Sequence, residues 1–199
     1  MNGREPIPPR DLPAFRAQVR QDTCRWLERA VIGLNLCPFA KAVHVKGQVH
    51  YAVSAASDPQ ALLGDLEFEL KALVAKDPQV RETTLLIAPR CLQQFADFNE
   101  FLAEADAALV RLALGGVVQI ASFHPHYQFA GTDAHDISNF TNRAPYPTLH
   151  LLREDSMDRA VAAFPEAELI YEANIRTLEK LGHAGWDALG VGPTTGKPD

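Results

Sequence analysis

The segment TTLLIAPRCLQQFADFNEFLAEADAALVRLALGGVVQIASF, residues 83–123, decides the fold. Its first six residues form a short apolar run, as expected for a strand covered on both faces. Apolar residues then recur every three or four positions from Phe95 to Leu112, which predicts an amphipathic helix. The pair Gly115-Gly116 ends that helix, and the apolar run that follows predicts a second strand. Two strands joined by a helix predict a parallel crossover unit.

The same alternation of strands and helices extends in both directions from this segment. The other predicted elements are helices at 12–33, 58–77, 157–164 and 166–181 and strands at 49–54 and 148–153. We therefore predict an α/β fold: a single domain with a small, mostly parallel sheet of about four strands and flanking helices. The fourth strand, at 148–153, is compatible with either direction.

The length of the chain sets the domain organisation. Its 199 residues are enough for one ordinary domain and leave little for a second. We predict an extended N-terminal arm at 1–11, a single α/β domain at 12–185 and a loose C-terminal tail at 186–199.

Composition and charge exclude several classes of protein. Hydrophobic residues make up 47% and charged residues 22%, which is typical of a globular protein. The net charge of −6 argues against nucleic acid and anionic membranes as partners, because both favour a basic surface. No uncharged apolar run is long enough to span a bilayer, and the N-terminal residues have no apolar core, so we expect a cytoplasmic location. Three widely spaced cysteines predict neither a disulfide scaffold nor a zinc ribbon.

The most informative stretch is the connection at 124–147, which shows neither helical nor strand periodicity. Long connections of this kind in compact domains are usually functional or disordered, and the aromatic residues here favour an ordered loop. In open α/β sheets, ligands bind beyond the carboxyl ends of the parallel strands. This loop follows such an end, so we expect the functional site there.

Three side chains are candidates for catalysis. His124 has an imidazole whose ordinary pKa allows proton transfer at neutral pH, so we predict a general acid or base, oriented by Asp136. Cys37, in Cys-Pro-Phe-Ala, is an optional nucleophile because this sequence is similar to a reactive-cysteine turn at a helix N-terminus.

Four further side chains are candidates for substrate binding. Arg143 is the first choice for clamping an anion, since a guanidinium matches carboxylate and phosphate groups, and Arg90 lies after the preceding strand. Asn139 and Asn142 can supply orienting hydrogen bonds, although asparagine also shapes loops.

The leading hypothesis is therefore an enzyme that acts on a small anionic metabolite through this loop. The sequence specifies no cofactor, no reaction and no oligomeric state, and this hypothesis needs no metal. One alternative is a non-catalytic protein-binding module that uses the loop at 124–147 for docking. Another is a metalloprotein in which His124 and His126 bind a metal with a third ligand from one of Asp133, His135, Asp136 and His150.

Three strings of sequence carry a family resemblance. They are GLNLCPFAKAV at 33–43, SFHPHYQFAGT with DISNFTNRAPYPTLHLLRED between 122 and 155, and NIRTLEKLGHAGWDAL at 174–189. Together they resemble the bacterial family called domain of unknown function 1415, over nearly the whole chain. In that family's pattern the position of His126 is often acidic and that of Ala144 is often serine. The resemblance implies no particular activity.

Overall fold

A computed structural model of the chain describes residues 12–162 and 169–194. The helices are α1 (Leu12–Trp26), α2 (Ala40–Val45), α3 (Pro59–Val74), α4 (Phe95–Arg111), α5 (Glu154–Ala162) and α6 (Ile170–Ala188). The strands are β1 (Val49–Val53), β2 (Thr83–Ile87), β3 (Val118–Phe123) and β4 (Thr148–Arg153). A π-helical segment (Leu27–Ile32) continues α1, and a 3-10 helix (Ile137–Asn142) lies in the long connection. The predicted arm at 1–11 lies outside the described residues, and none of the described helices is long and apolar enough to cross a membrane.

The four strands form one mixed sheet in the order β1-β2-β4-β3. β1 pairs with β2 in parallel, whereas β4 lies between β2 and β3 and is antiparallel to both. The first three strands share a direction, but two of the three ladders are antiparallel, so the prediction of a mostly parallel sheet was wrong. The physical reason is that the long connection after β3 lets the chain turn back and insert β4 at the centre of the sheet.

One face of the sheet is covered by α3 and α4. Buried leucines recur at helical spacing along α3, and α4 contributes Phe98, Phe101 and Ala105 to the same core. The N-terminus of α3 forms as predicted, because the Asp58 carboxylate accepts a hydrogen bond from the backbone N–H of Ala61 at 2.9 Å. This face is a closed hydrophobic core.

The opposite face is covered by α1, the π-helical segment and α6. Leu85 and Ile87 of β2 point to this side, while Leu86 between them points to the α3–α4 side, as strand alternation requires. Trp26 joins this core and its indole N–H donates to the backbone oxygen of Arg143 at 2.8 Å. The long connection is thereby tied to α1.

The tail predicted to be loose at 186–199 is ordered as far as the structure describes it. Helix α6 runs to Ala188, beyond the predicted domain end. The buried carboxylate of Asp22 accepts hydrogen bonds from the backbone N–H and the hydroxyl of Thr194 and from the hydroxyl of Tyr146. Burial raises the pKa of Asp22, but these hydrogen bonds outweigh burial and bring the pKa below its ordinary value. These hydrogen bonds tie Thr194 and Tyr146 to α1 through Asp22.

Candidate functional site

The strand ends meet at one edge of the sheet, where the site was expected. Ile87 and Phe123, at the carboxyl ends of β2 and β3, both lie opposite Thr148, the first residue of β4. The long connection at 124–147 covers this edge, and its side chains hydrogen-bond mainly to its own backbone. Five of the predicted site residues lie in or next to the 3-10 helix or at the start of this connection, and most of their polar groups already have partners.

His124 is fully buried at this edge, with both ring nitrogens in hydrogen bonds. Its Nδ1 accepts from the backbone N–H of His126 at 3.0 Å, so its Nε2 carries the proton and donates to the Leu92 oxygen at 3.1 Å. The ring packs against Phe95 and Phe98, and burial lowers its pKa to about 4. A neutral ring without an available nitrogen holds the loop in place, and this geometry does not support acid–base catalysis by His124.

Arg143 is also committed to the loop. Its Nη2 donates to the backbone oxygen of Ala134 at 2.6 Å and its Nε donates to the oxygen of Tyr127 at 3.3 Å. The guanidinium carbon lies 4.0 Å from the centre of the Phe140 ring. These contacts fix the path of the loop and use two of the five guanidinium N–H groups.

The two predicted asparagines have the same kind of role. Asn139 is fully buried; its side-chain oxygen accepts from the Phe129 N–H and the Thr132 hydroxyl, and its amide donates to the Asp133 oxygen. Asn142 donates to the oxygen of Ser122 at 3.2 Å. The Asn139 bonds close turns of the loop, and the Asn142 bond ties the loop to β3.

The remaining predicted residues do not join a common site. Asp136 is exposed and caps the 3-10 helix by accepting from the Ser138 N–H, a bond that lowers its pKa. It cannot orient His124, whose nitrogens have other partners. Arg90 lies partly exposed after β2, at the same edge. Burial raises the pKa of the Cys37 thiol, so a reactive thiolate is disfavoured there.

The two alternatives to an enzyme also lack support in this loop. Tyr146 is buried, and Phe140 packs against His183 and Trp186 of α6, so these aromatic residues form no exposed docking patch. Within the described parts of the chain, no three potential metal ligands that include a loop histidine lie close enough to share an ion.

A cavity of about 180 Å³ lies elsewhere, on the sheet face covered by the π-helical segment. Its walls come from that segment, α2, all four strands and α5, and they are almost entirely apolar. The lining residues are Trp26, Leu27, Val31, Cys37, Phe39, Ala40, Val43, Val49, Glu82, Thr83, Leu85, Phe123, His150, Leu152, Arg153, Ser156, Met157 and Ala160.

The π-helical segment shapes one wall of this cavity. Its wider turn is closed by hydrogen bonds from residue i to residue i−5, such as Gly33 N–H to Glu28 at 3.0 Å and Leu36 N–H to Val31 at 2.8 Å. Gly33 is required at its end, since a Cβ there would lie 2.3 Å from the backbone oxygen of Arg29. Short π-helical turns occur frequently at functional sites.

His150 is the distinctive polar group of the cavity. Its Nε2 lies 2.8 Å from the Thr83 hydroxyl, which itself lies 2.7 Å from the Leu151 oxygen. A hydroxyl has one proton and a carbonyl only accepts, so the Thr83 hydroxyl donates to Leu151 and accepts from the His150 Nε2–H. The Nδ1 atom then has a lone pair, and it has no hydrogen-bond partner among the described residues. Burial lowers the pKa of His150 to about 4, which keeps the ring neutral.

Sequence reasoning missed this cavity. His150 entered only as a possible metal ligand, although a histidine within the apolar strand TLHLLR is itself an unusual feature. The other walls come from residues that are distant in sequence, such as Trp26, Cys37 and Phe123. No local pattern brings them together.

Comparison with known proteins places the chain in one family. The model of the family described as "Protein of unknown function (DUF1415)" matches residues 18–188. No curated protein and no solved structure matches the chain significantly. Because the family model covers most of the chain, this protein belongs to the DUF1415 family.

Proposed function

We propose that this protein binds a small, mostly apolar molecule with one hydrogen-bond donor in the cavity beside the π-helical segment. The observation that supports this most strongly is the neutral ring of His150. Its Nε2 is bound to Thr83, and its Nδ1 is an unpaired acceptor in an apolar cavity. A ligand N–H or O–H that donates to this nitrogen adds a hydrogen bond that the chain itself does not make.

The size of the cavity limits the ligand. An apolar cavity of about 150 Å³ in another protein accommodates benzene. The cavity here is about 180 Å³. A single aromatic ring with a small substituent, or a short acyl chain, therefore fits.

The charges in the wall favour a neutral ligand over an anion. Arg153 lines the cavity; its Nη2 donates to the backbone oxygens of Leu73 and Lys76 at 2.6 and 2.7 Å, at the end of α3, whereas its buried Nε has no partner among the described residues. Glu82 also lines the wall and disfavours a second negative charge. A hydroxyl can donate to His150 without carrying a charge into the cavity.

Phenol and toluene are matched probes for this proposal, since they differ mainly in the hydroxyl. A net hydrogen bond of about 0.5–1.5 kcal/mol corresponds to a preference for phenol of about 2- to 13-fold. At a concentration ten times its Kd, either ligand stabilises the folded chain by about 1.4 kcal/mol. For a chain of this size that raises Tm by about 3–6 °C.

The test is calorimetric titration and thermal unfolding with both probes. Ala160→Phe places a ring into the cavity, and Ala162→Phe adds the same ring at an exposed position of the same helix. We expect saturable binding to the wild type and to Ala162→Phe, and none to Ala160→Phe. Equal binding to both phenylalanine variants, or no binding to the wild type, would contradict the proposal.

An enzyme that acts on a small anionic metabolite through the loop at 124–147 remains a prediction with a separate test. Phosphate and small carboxylic acids should then stabilise the wild type and not Arg143→Ala. The loop contacts described above favour the cavity instead, because Arg143 already donates to loop carbonyls.

A further inference from the structure

Three side chains with different donor atoms converge beside β1, outside the cavity. They are Cys24 on α1, Glu28 on the π-helical segment and His44 on α2. Glu28 Oε1 lies 3.2 Å from His44 Nε2 and 3.6 Å from Cys24 Sγ. The three donor atoms all lie within 4.8 Å of one another.

The fold explains this convergence. Cys24 and Glu28 are four residues apart, so they lie on the same face of the helix. Helix α2 packs against the π-helical segment and brings His44 to that face. In this position His44 contacts Glu28.

We propose that Cys24, Glu28 and His44 bind a divalent transition-metal ion such as Zn²⁺. Thiolate sulfur, imidazole nitrogen and carboxylate oxygen are the ligands that Zn²⁺ takes in proteins. With metal–ligand distances of about 2.0–2.3 Å, tetrahedral ligands lie about 3.3–3.8 Å apart. The observed 3.2 and 3.6 Å separations need little adjustment to reach that range. Three protein ligands leave a fourth position for water or another ligand.

Tyr51 on β1 offers a second contact to a metal-bound thiolate at Cys24. The buried hydroxyl of Tyr51 lies next to the Cys24 thiol and has no other hydrogen-bond partner in the described part of the chain. A metal-bound thiolate would accept a hydrogen bond from this hydroxyl, and such second contacts orient metal ligands. The thiolate and the Glu28 carboxylate together neutralise a divalent ion. A positive charge also lies close to this group: the guanidinium carbon of Arg20 is 5.6 Å from the centre of the Tyr51 ring.

Co²⁺ is the most informative probe, because a cobalt–thiolate bond gives a charge-transfer absorption band. The full chain, with its cysteines reduced, is titrated with Co²⁺ by absorption and with Zn²⁺ by calorimetry. We expect one ion per chain, a sulfur-to-cobalt band and release of protons on binding. Cys24→Ser should abolish the band, and His44→Gln should weaken binding by about tenfold or more.

Matched controls separate this site from other cysteines and histidines. Cys37→Ser changes the cavity cysteine and His135→Gln changes an exposed loop histidine, so both should bind Co²⁺ like the wild type. A cobalt–thiolate band that persists in Cys24→Ser or disappears in Cys37→Ser would overturn the proposal. So would a wild type that binds Co²⁺ no more tightly than Cys24→Ser does. Circular dichroism of each variant confirms folding. Ala160→Phe should leave Co²⁺ binding unchanged, so failure of the cavity proposal and failure of this one are distinguishable.

Discussion

Replacing His150 by leucine should make the stability of the protein less sensitive to acid. The ordinary pKa of 6.5 falls to about 4 in the folded chain because the ring is buried. Between these values the unfolded chain binds more protons than the folded chain, so stability falls as the pH falls from 6.5 towards 4. At pH 5 the loss due to His150 is about 2 kcal/mol relative to neutral pH.

The leucine variant isolates this contribution. Leucine takes up no proton, and the Thr83 hydroxyl keeps its hydrogen bond to Leu151. Loss of the hydrogen bond from His150 to Thr83 destabilises the variant by about 1 kcal/mol. This loss is partly offset because leucine places no polar ring in the apolar cavity. At pH 8 we therefore expect the free energies of unfolding of the variant and the wild type to agree within about 1 kcal/mol.

Urea denaturation at pH 8 and at pH 5 is the appropriate assay. Going from pH 8 to pH 5 should shift the stability difference by about 2 kcal/mol in favour of His150→Leu. The buried His124 responds to acid in the same range, but it is present in both proteins and cancels in the comparison. His135→Leu, at an exposed position, should follow the wild type. Identical pH dependence of the wild type and His150→Leu would refute the reasoning.

Two substitutions test other parts of the account by urea denaturation. Gly33→Ala should destabilise the fold by about 1–3 kcal/mol, because its Cβ would lie 2.3 Å from the Arg29 backbone oxygen. Gly64→Ala, with open space around it in α3, should stabilise by about 0.5–1 kcal/mol, and the same sign for both glycines would contradict this. Asn139→Ala should cost about 2–4 kcal/mol because it leaves buried loop groups unpaired. Asn99→Ala, exposed on α4, should change stability by about 0.5 kcal/mol at most, and an equal loss in both asparagine variants would count against a structural role of the loop amide.

The order of strands and helices followed from local sequence patterns, but the pairing of the strands did not. Hydrophobic periodicity placed the strand at 148–153 and the helix at 95–111 almost to the residue. Strand direction depends on which neighbour a strand joins, and the apolar alternation of β4 is the same in either direction. The short helix α2 was also missed, since its six residues carry no repeat long enough to detect.

The candidate site shows a different limit of prediction from sequence. The residue types that bind substrates are also the types that hold irregular loops, because both tasks require hydrogen bonds to carbonyl and N–H groups. His124, Asn139 and Arg143 satisfy the backbone of the connection at 124–147, and the sequence does not distinguish that role from ligand binding. The cavity and the cluster of Cys24 with His44 depend on packing between separate elements, which spacing along the chain does not show.

The occupancy of the cavity can be measured directly through Met157. Methionine occurs at only two positions, 1 and 157, and Met157 lines the cavity. In a chain labelled with ¹³C at the methionine methyl groups, phenol should shift the Met157 resonance saturably, with the Kd found by calorimetry. Ala160→Phe should abolish the Met157 shift. A Met157 resonance that stays fixed, or that drifts in proportion to phenol without saturating, would contradict the central claim that this cavity is a binding site.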